Sequence, residues 1–545
     1  MTNLNISGNI VDVLKKTIYP GTVCVKKGRI DSIIGEEGKR YDRYILPGFI
    51  DAHVHIESSM LPPSEFARLA TVNGTVASVS DPHEIANVMG IAGIRFMLED
   101  ARKTPFEIAF GAPSCVPATC FETAGTELSA KEIYQLFFEN KITYLSEVMN
   151  VPGVLAREKQ IMHKIGIARQ LGLPVDGHCP GLYGSEAKCY ASAGITTDHE
   201  CCSLTEALDK IAAGMKIIIR EGSAAKNYDA LHPLIDSHCD RCMFCSDDKH
   251  PDDLVKGQID DLVRRSVALG YDLMKVLQIA CINPVLHYHL NVGLLRVGDP
   301  ADFIAVNNLH DFEIRRTYCK GILAACDGKA MLRSAAIEPI NNFATSFKKI
   351  EDFSLKSNDA STLRVICALD GQLITKEKII QAPVKNGEIV SDLEQDILKI
   401  AVVNRYADAL PAVALIHNFG LKRGAIASSV AHDSHNIVAV GTSDREICAV
   451  VNAVIQNQGG ISLSQGNLLS ILPLPLAGLM SQQEGYKVAR AYSRLDSLAK
   501  QLGSTLSAPF MTLSFMALLV IPELKLSDLG LFSSKDFQFV PLQVD

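Results

Sequence analysis

The residues of this chain whose types and spacing suggest chemistry begin with His53-Val54-His55, near the end of the run Leu46-Pro47-Gly48-Phe49-Ile50-Asp51-Ala52-His53-Val54-His55-Ile56-Glu57. Successive side chains of an extended strand point to opposite faces, so His53 and His55 share one face and can hold one metal ion together. The apolar residues ahead of the pair read as a buried strand that delivers its C-terminal end to a site, although paired histidines also occur on plain surface strands. Further acidic and imidazole side chains recur downstream: Asp81, His83 and Glu84, then Glu147, His178, His199, Glu221 beside Arg220, and Asp247 with Asp248. A ligand set that mixes imidazole with carboxylate suits zinc, manganese or iron alike by hardness.

Such residues need a scaffold that brings distant parts of the chain together. Apolar strand-like runs occur at Pro47–His55, Thr75–Ser80, Phe106–Gly111, Thr143–Glu147, Pro174–His178, Ile195–His199, Lys216–Glu221 and Cys242–Asp247, with helix-like stretches such as Pro63–Val72 and Ala156–Leu171 between them. Eight β-then-α units in succession predict an α/β fold, a parallel (β/α)8 TIM-like barrel. The polar residues named above fall at or just past the C-terminal ends of these runs, and in a barrel those ends converge on one face.

Short alternating strands with glycine turns lie on both sides of this pattern, from Ile10 to Gly35 before it and from Gly293 to Cys319 after it. They predict a small β-sandwich domain built from residues 1–45 and 291–345, flanking a catalytic barrel over residues 46–290. Residues 346–545 combine strands at Leu363–Leu369, Ile397–Val403 and Val413–Ile416 with helical patterns at Asp444–Gln456 and Gln482–Leu502, and read as a C-terminal α+β domain. Within it, His432, Asp433, Ser434 and His435 form a polar stretch between apolar strands. A surface turn is one reading of it, and a lid over the barrel mouth is the other.

Composition narrows the partners. The 545 residues suffice for roughly two to four domains. Lys plus Arg number 53 against 61 Asp plus Glu, without long like-charge blocks, so no nucleic-acid partner is expected. The polar start, Met1 to Ile10, lacks a secretory pattern, and the apolar stretch Pro509–Ile521 is too short to span a bilayer, so a soluble cytoplasmic protein without a membrane partner is expected. The 15 cysteines then read as reduced thiols. Cys239-x-x-Cys242-x-x-Cys245 resembles the start of an iron–sulfur ligand run, but Lys249 stands at the fourth position, and a buried strand that carries cysteines is the expectation. His55-Ile56-Glu57 matches half of the cytidine-deaminase zinc signature, and the Pro-Cys-x-x-Cys half is missing, which excludes that fold.

The Pro-Gly-Phe-Ile-Asp-x-His-x-His stretch, the single histidines that close later strands, the late Asp247 and Gly298-Asp299-Pro300-Ala301-Asp302-Phe303 together resemble the amidohydrolase superfamily of metal-dependent barrel hydrolases. Ser80-Asp81-Pro82-His83-Glu84, Ser146-Glu147-Val148-Met149-Asn150, Asp176-Gly177-His178-Cys179-Pro180-Gly181, Ser246-Asp247-Asp248-Lys249-His250-Pro251 and the C-terminal Ala431-His432-Asp433-Ser434-His435-Asn436 are similar to the bacterial adenine deaminase branch. This resemblance implies a binuclear divalent metal centre, Mn2+ or Fe2+ rather than Zn2+. His53, His55 and Asp247 would serve the first ion and His178 and His199 the second, with Glu147 bridging where many relatives use a carboxylated lysine.

The implied reaction is hydrolytic deamination of adenine to hypoxanthine and ammonia, a purine salvage step in which a hydroxide held between the two ions attacks C6. Asp247 would be ligand and proton-transfer group, against the alternative of a helix N-cap, a role that suits Asp248 better. His199 would both bind metal and polarise substrate. Glu84 is a candidate to hold a purine nitrogen or assist proton transfer, or else a solvated loop acid, and His83 and His250 are candidate substrate contacts on the same footing. Arg220 and Glu221 could equally form an ion pair closing the seventh strand. Another binuclear amidohydrolase acting on a cyclic amide or a different amino-heterocycle is the alternative function, and a non-catalytic nucleobase- or metal-binding relative is the third. Large barrel enzymes commonly assemble, so a homo-oligomer is expected.

Overall fold

The apolar run that leads to His53 divides at Gly48 into two strands that enter different sheets. Tyr44–Pro47 joins a peripheral sheet, and Phe49–Val54 is the first strand of the barrel. Gly48 is required at this crossing because a Cβ there would stand 2.3 Å from Cγ1 of Val76, on the next barrel strand. The structure, a computed structural model, describes residues 3–140, 142–357 and 362–544.

Eight parallel strands form the barrel: β1 (Phe49–Val54), β2 (Thr75–Ser80), β3 (Glu107–Ala112), β4 (Tyr144–Val148), β5 (Val175–Gly177), β6 (Thr197–Asp198), β7 (Lys216–Arg220) and β8 (Cys242–Cys245). They pair in two arcs, β1 to β5 and β6 to β8. One seam between the arcs is bonded by the Thr196 N–H donating to the Val175 carbonyl at 2.8 Å. At the other, Val54 pairs in parallel with Asp247, whose N–H donates to the His53 carbonyl at 3.0 Å. The ring therefore closes at the two residues the sequence marks for chemistry. Strands covered on both faces read as continuous apolar runs, which is why β1, β2 and β8 are buried along their whole length. Ala52, Val79, Tyr144, Ile218, Met243, Cys245 and Tyr288 fill the interior as a packed core. Burial also pushes the Cys242 and Cys245 thiols up, consistent with inert strand cysteines.

The expected strand positions fall on these eight strands, with several ends trimmed. Ile195–His199 contracts to Thr197–Asp198, for example, because the residues at its C-terminal end leave the ladder to face the site. The segments before and after the barrel enter one eight-stranded sheet, in which Tyr44–Pro47 pairs antiparallel with Phe303–Val306. The C-terminal region builds a nine-stranded sheet whose helix Asp444–Gln456 buries Ile447, Val450, Val451 and Val454. Its helix Gly485–Gln501 packs on the barrel, where the Gly485 N–H donates to Glu65 at 3.1 Å and the neighbouring Ser481 N–H to the Met60 carbonyl at 2.9 Å. No helix among the described residues is long and apolar enough to cross a membrane.

Gly48→Ala should destabilise the protein by about 1–3 kcal/mol, since the added methyl can be seated only by displacing Val76. Urea denaturation measures this, and an unchanged midpoint would mean that the crossing between the two sheets relaxes freely.

Candidate active site

His53 and His55 leave β1 on one face, and their Nε2 atoms stand 3.2 Å apart. His55 Nδ1 lies 3.3 Å from the Asp81 carbonyl, which can only accept, so Nδ1 carries the proton and Nε2 presents a lone pair. That lone pair lies 3.5 Å from Oε1 of Glu147 and 3.3 Å from Oδ1 of Asp247, while His53 Nε2 is 3.6 Å from the same Asp247 oxygen. On the other side, Oε2 of Glu147 is 2.8 Å from His178 Nδ1 and 3.1 Å from His199 Nε2. The His199 ring stacks on His53 at 4.2 Å. His53, His55, Glu147, His178, His199 and Asp247, drawn from strands β1, β4, β5, β6 and β8, thus converge in one place, all buried except the partly exposed His178.

The donor set fits a pair of cations. Ligand atoms that share an ion at bonds of about 2.0–2.1 Å stand about 2.8 to 3.6 Å apart, as these do. Two groupings meet at Glu147: His55 with Asp81, His83 and Glu147 on one side, and Glu147, His178 and His199 on the other, with His53, His199 and Asp247 adjoining. This buried cluster points to a divalent metal centre.

Supporting contacts explain why the ligands sit where they do. Asp51, two residues before His53, accepts from the Ser246 N–H at 2.9 Å and from Gln258 at 2.7 Å, which ties β1 to the end of β8. Burial pushes its carboxyl up to about 6, against the pull of these donors. The Tyr190 hydroxyl donates to the Val148 carbonyl at 2.5 Å and accepts from the His178 N–H at 3.1 Å, joining β4 to β5. Lys210 is fully buried and donates to Asp198 at 2.9 Å, Glu206 at 2.7 Å and the Cys179 carbonyl at 2.6 Å. Asp198 in turn accepts from the backbones of Cys179 and Glu200, so one ammonium holds the chain beside both His178 and His199.

Arg220 is a further member of the site. It does not close its strand on Glu221, whose carboxylate pairs with Arg265 and Lys226. Instead the guanidinium grips Glu200 through both nitrogens and donates to Oδ2 of Asp247 at 2.6 Å. Burial alone would raise the Asp247 carboxyl, but Arg220 and the neighbouring imidazoles hold it well below the usual carboxylate range. Its backbone is left-handed, with φ of +52°, a conformation that Asp tolerates better than most residues. Asp248 is not the helix cap the sequence suggested. The next helix begins at Pro251 behind His250, and Asp248 accepts from the Ser58 hydroxyl at 2.5 Å.

His83 links the Glu147 cluster to Glu84. Its Nδ1 lies 3.1 Å from Asp81 and 3.4 Å from Glu147, and its Nε2 lies 3.5 Å from Glu84 and 3.6 Å from Asp433. Glu84 is buried, not a solvated loop acid. Burial pushes its carboxyl up, but His432, His435 and His83 bring it well below its usual value. His250 is buried as well, with Nδ1 2.5 Å from the Tyr492 hydroxyl and Nε2 without a hydrogen-bond partner among the described residues. His432, Asp433, Ser434 and His435 are all buried against the barrel, so the surface-turn reading fails. Sequence reasoning missed Asp51, Glu200 and Lys210, whose roles depend on partners supplied by other strands.

Residues 44–324 match the amidohydrolase family and residues 372–538 match the adenine deaminase C-terminal domain. The chain is 54% identical to an adenine deaminase of Sulfurovum sp., over 98% of this chain and 99% of that one. It is 52% identical to an adenine deaminase of Salinibacter ruber, over 100% and 99%, and 49% identical to one of Methanosarcina mazei, over 99% of each. With its barrel spanned by the one match and most of its C-terminal sheet by the other, the chain belongs to the amidohydrolase family, in the group that carries an adenine deaminase C-terminal domain.

Proposed function

We propose that this protein hydrolyses adenine to hypoxanthine and ammonia. The observation that carries the reading is the Glu147 carboxylate, which faces His55 through one oxygen and His178 and His199 through the other, in a chain similar along its length to adenine deaminases. His53, His55, Glu147 and Asp247 would hold one divalent ion, and Glu147, His178 and His199 the other. Two such ions supply a water acidic enough to act as hydroxide near neutral pH. By hardness this mixed imidazole–carboxylate set suits zinc, manganese or iron alike, and it is the resemblance to the adenine deaminase branch that favours Mn2+ or Fe2+ over Zn2+.

The chain's own residues perform the rest. Asp247 is anchored through Oδ2 by Arg220, so Oδ1 stays aimed at the face where His53 and His55 converge. There it takes the proton of the attacking water and returns it to the departing amine as the C6–N bond breaks. His199 is a ligand placed to polarise the ring, and Glu84 and His83 face the ring from the β2 side. An oxygen of Asp433 that is buried and without a hydrogen-bond partner suits a ring N–H donor. In domain terms, residues 46–290 form the catalytic barrel, residues 1–45 and 291–345 its flanking β domain, and residues 346–545 a lid that keeps bulk water out. A cytoplasmic homo-oligomer is the assembly this reading carries.

Manganese-loaded protein incubated with adenine should release ammonia as the ultraviolet spectrum shifts toward that of hypoxanthine. Turnover of a cyclic amide with none of adenine would instead favour a different amidohydrolase. Asp247→Asn should cut turnover by about 10² to 10⁴-fold while metal content, measured by elemental analysis, stays near that of the parent. Near-normal activity would remove Asp247 from the mechanism. Lys210→Met should weaken the ion held by His178 and His199 by about 10- to 100-fold in a chelator competition, because Asp198 loses its counter-charge and the backbone beside both ligands loosens. Retention of two ions at parental affinity would show that these strand ends hold themselves.

A further inference from the structure

The C-terminal turn Ala431–Asn436 reaches a carboxylate on the far side of the sequence. Glu84 lies just past β2, and both of its oxygens are taken from this turn: Oε1 by His432 Nδ1, and Oε2 by His435 Nε2 at 2.5 Å. The protonation of His435 follows from its other nitrogen. The Ala431 N–H donates to His435 Nδ1 at 3.1 Å, so Nδ1 must offer a lone pair, and Nε2 carries the proton that is donated to Glu84. The turn holds its own shape through the C-terminal region. The His432 ring stacks on Phe515 at 4.4 Å, and the His432 backbone N–H donates to the Ser514 carbonyl at 2.9 Å. Tyr406 donates to the Ser434 carbonyl at 2.5 Å, and the Arg405 N–H donates to Asn436 at 3.1 Å. His432 and His435 are both at least nine-tenths buried.

We infer that His432 and His435 are positioning residues for the reaction: together they clamp the Glu84 carboxylate in the one orientation that faces the substrate ring, so that the C-terminal region supplies part of the working site rather than a cover alone. The inference rests on the reading of Glu84 as substrate-facing. A carboxylate with one donor on each oxygen cannot rotate without losing both bonds, and it keeps a free lone pair on each oxygen for the ring. Without the clamp, Glu84 remains buried beside His83 but is free to turn, and loss of reactant alignment of this kind is worth up to about 100-fold in rate.

The test compares, in the full-length manganese-loaded protein, His435→Leu, which removes the donor, with His435→Gln, whose amide nitrogen can take the place of Nε2, and both again in a Glu84→Gln background. His435→Leu should lower kcat on adenine by about 10- to 100-fold with two ions still bound per chain, His435→Gln should recover much of that loss, and in the Glu84→Gln background the leucine change should cost little more. A full additional loss in that background, or equal damage from leucine and glutamine, would overturn the clamp and leave His435 as ordinary packing. His432→Asn against His432→Leu repeats the comparison at the other oxygen, so that misfolding of one variant does not decide the matter. If the parent protein does not act on adenine, the function reading falls by itself. The clamp is then judged by the crystal structure of His435→Leu: a Glu84 carboxylate turned away from His83 supports it, and an unmoved one overturns it.

Discussion

The site depends on burying several carboxylates side by side and answering the charge of those that keep it. An ion taken out of water costs several kcal/mol even after the protein relaxes around it, and removing one partner of a buried pair is worse than never forming the pair. Here most of these anions have an answer within hydrogen-bond reach. Glu147 has His178 and His199, Asp247 and Glu200 share Arg220, Asp198 has Lys210, and Glu84 has His432 and His435. Two of the exceptions are informative. Asp51 and Glu122 meet hydroxyl or amide donors but no cation, and burial pushes their carboxyls up to about 6 and about 8. Glu122 therefore holds its proton at neutral pH and adds no further negative charge beside Asp433. Charge is kept where counter-charge exists.

The barrel meets this constraint because parallel strands deliver their C-terminal ends to one rim, where backbone carbonyls and N–H groups no longer used by the ladder can orient side chains. The seam between β8 and β1 is the clearest case. The Asp247 N–H completes the ladder on His53 while its carboxylate turns inward, and Asp51 ties the same two strands one step below through Ser246 and Gln258. Closure of the ring and assembly of the site are thus one event. A defect in the packing of β1 against β8 would be felt at the ligands before it was felt in the outer helices.

Much of this was legible in the sequence because it is local. His53 and His55 share a face for reasons of strand geometry alone, and the histidines and acids that end later apolar runs announce a common rim. What stayed hidden are pairings between segments that sequence spacing cannot relate. Arg220 looked like a partner of its neighbour Glu221, yet a strand sends adjacent side chains to opposite faces, and the guanidinium points inward to Glu200 and Asp247. Asp248 had the composition of a helix cap, but the helix starts three residues later and the carboxylate is claimed by Ser58. His432 contacts Glu84 across 348 residues of chain, so a polar stretch that reads as a surface turn is buried against the barrel.

That last contact bears on why such a barrel carries a large C-terminal region at all. An open rim would leave Asp247 and Glu84 in water, where a charge–charge interaction at contact distance is worth about 1 kcal/mol, compared with about 4 kcal/mol in a site of intermediate polarity. On the proposed lid reading, the turn Ala431–Asn436 removes that solvent, and the donors it brings replace the lost hydration of Glu84 with fixed ones. Excluding water strengthens every remaining electrostatic interaction, but only if the groups that lose hydration gain preorganised partners in exchange. A purely apolar cover would fail this condition, because it would leave Glu84 buried and unpaired. The histidines of the turn meet it, and this accounts for a polar stretch lying between strands that are otherwise apolar.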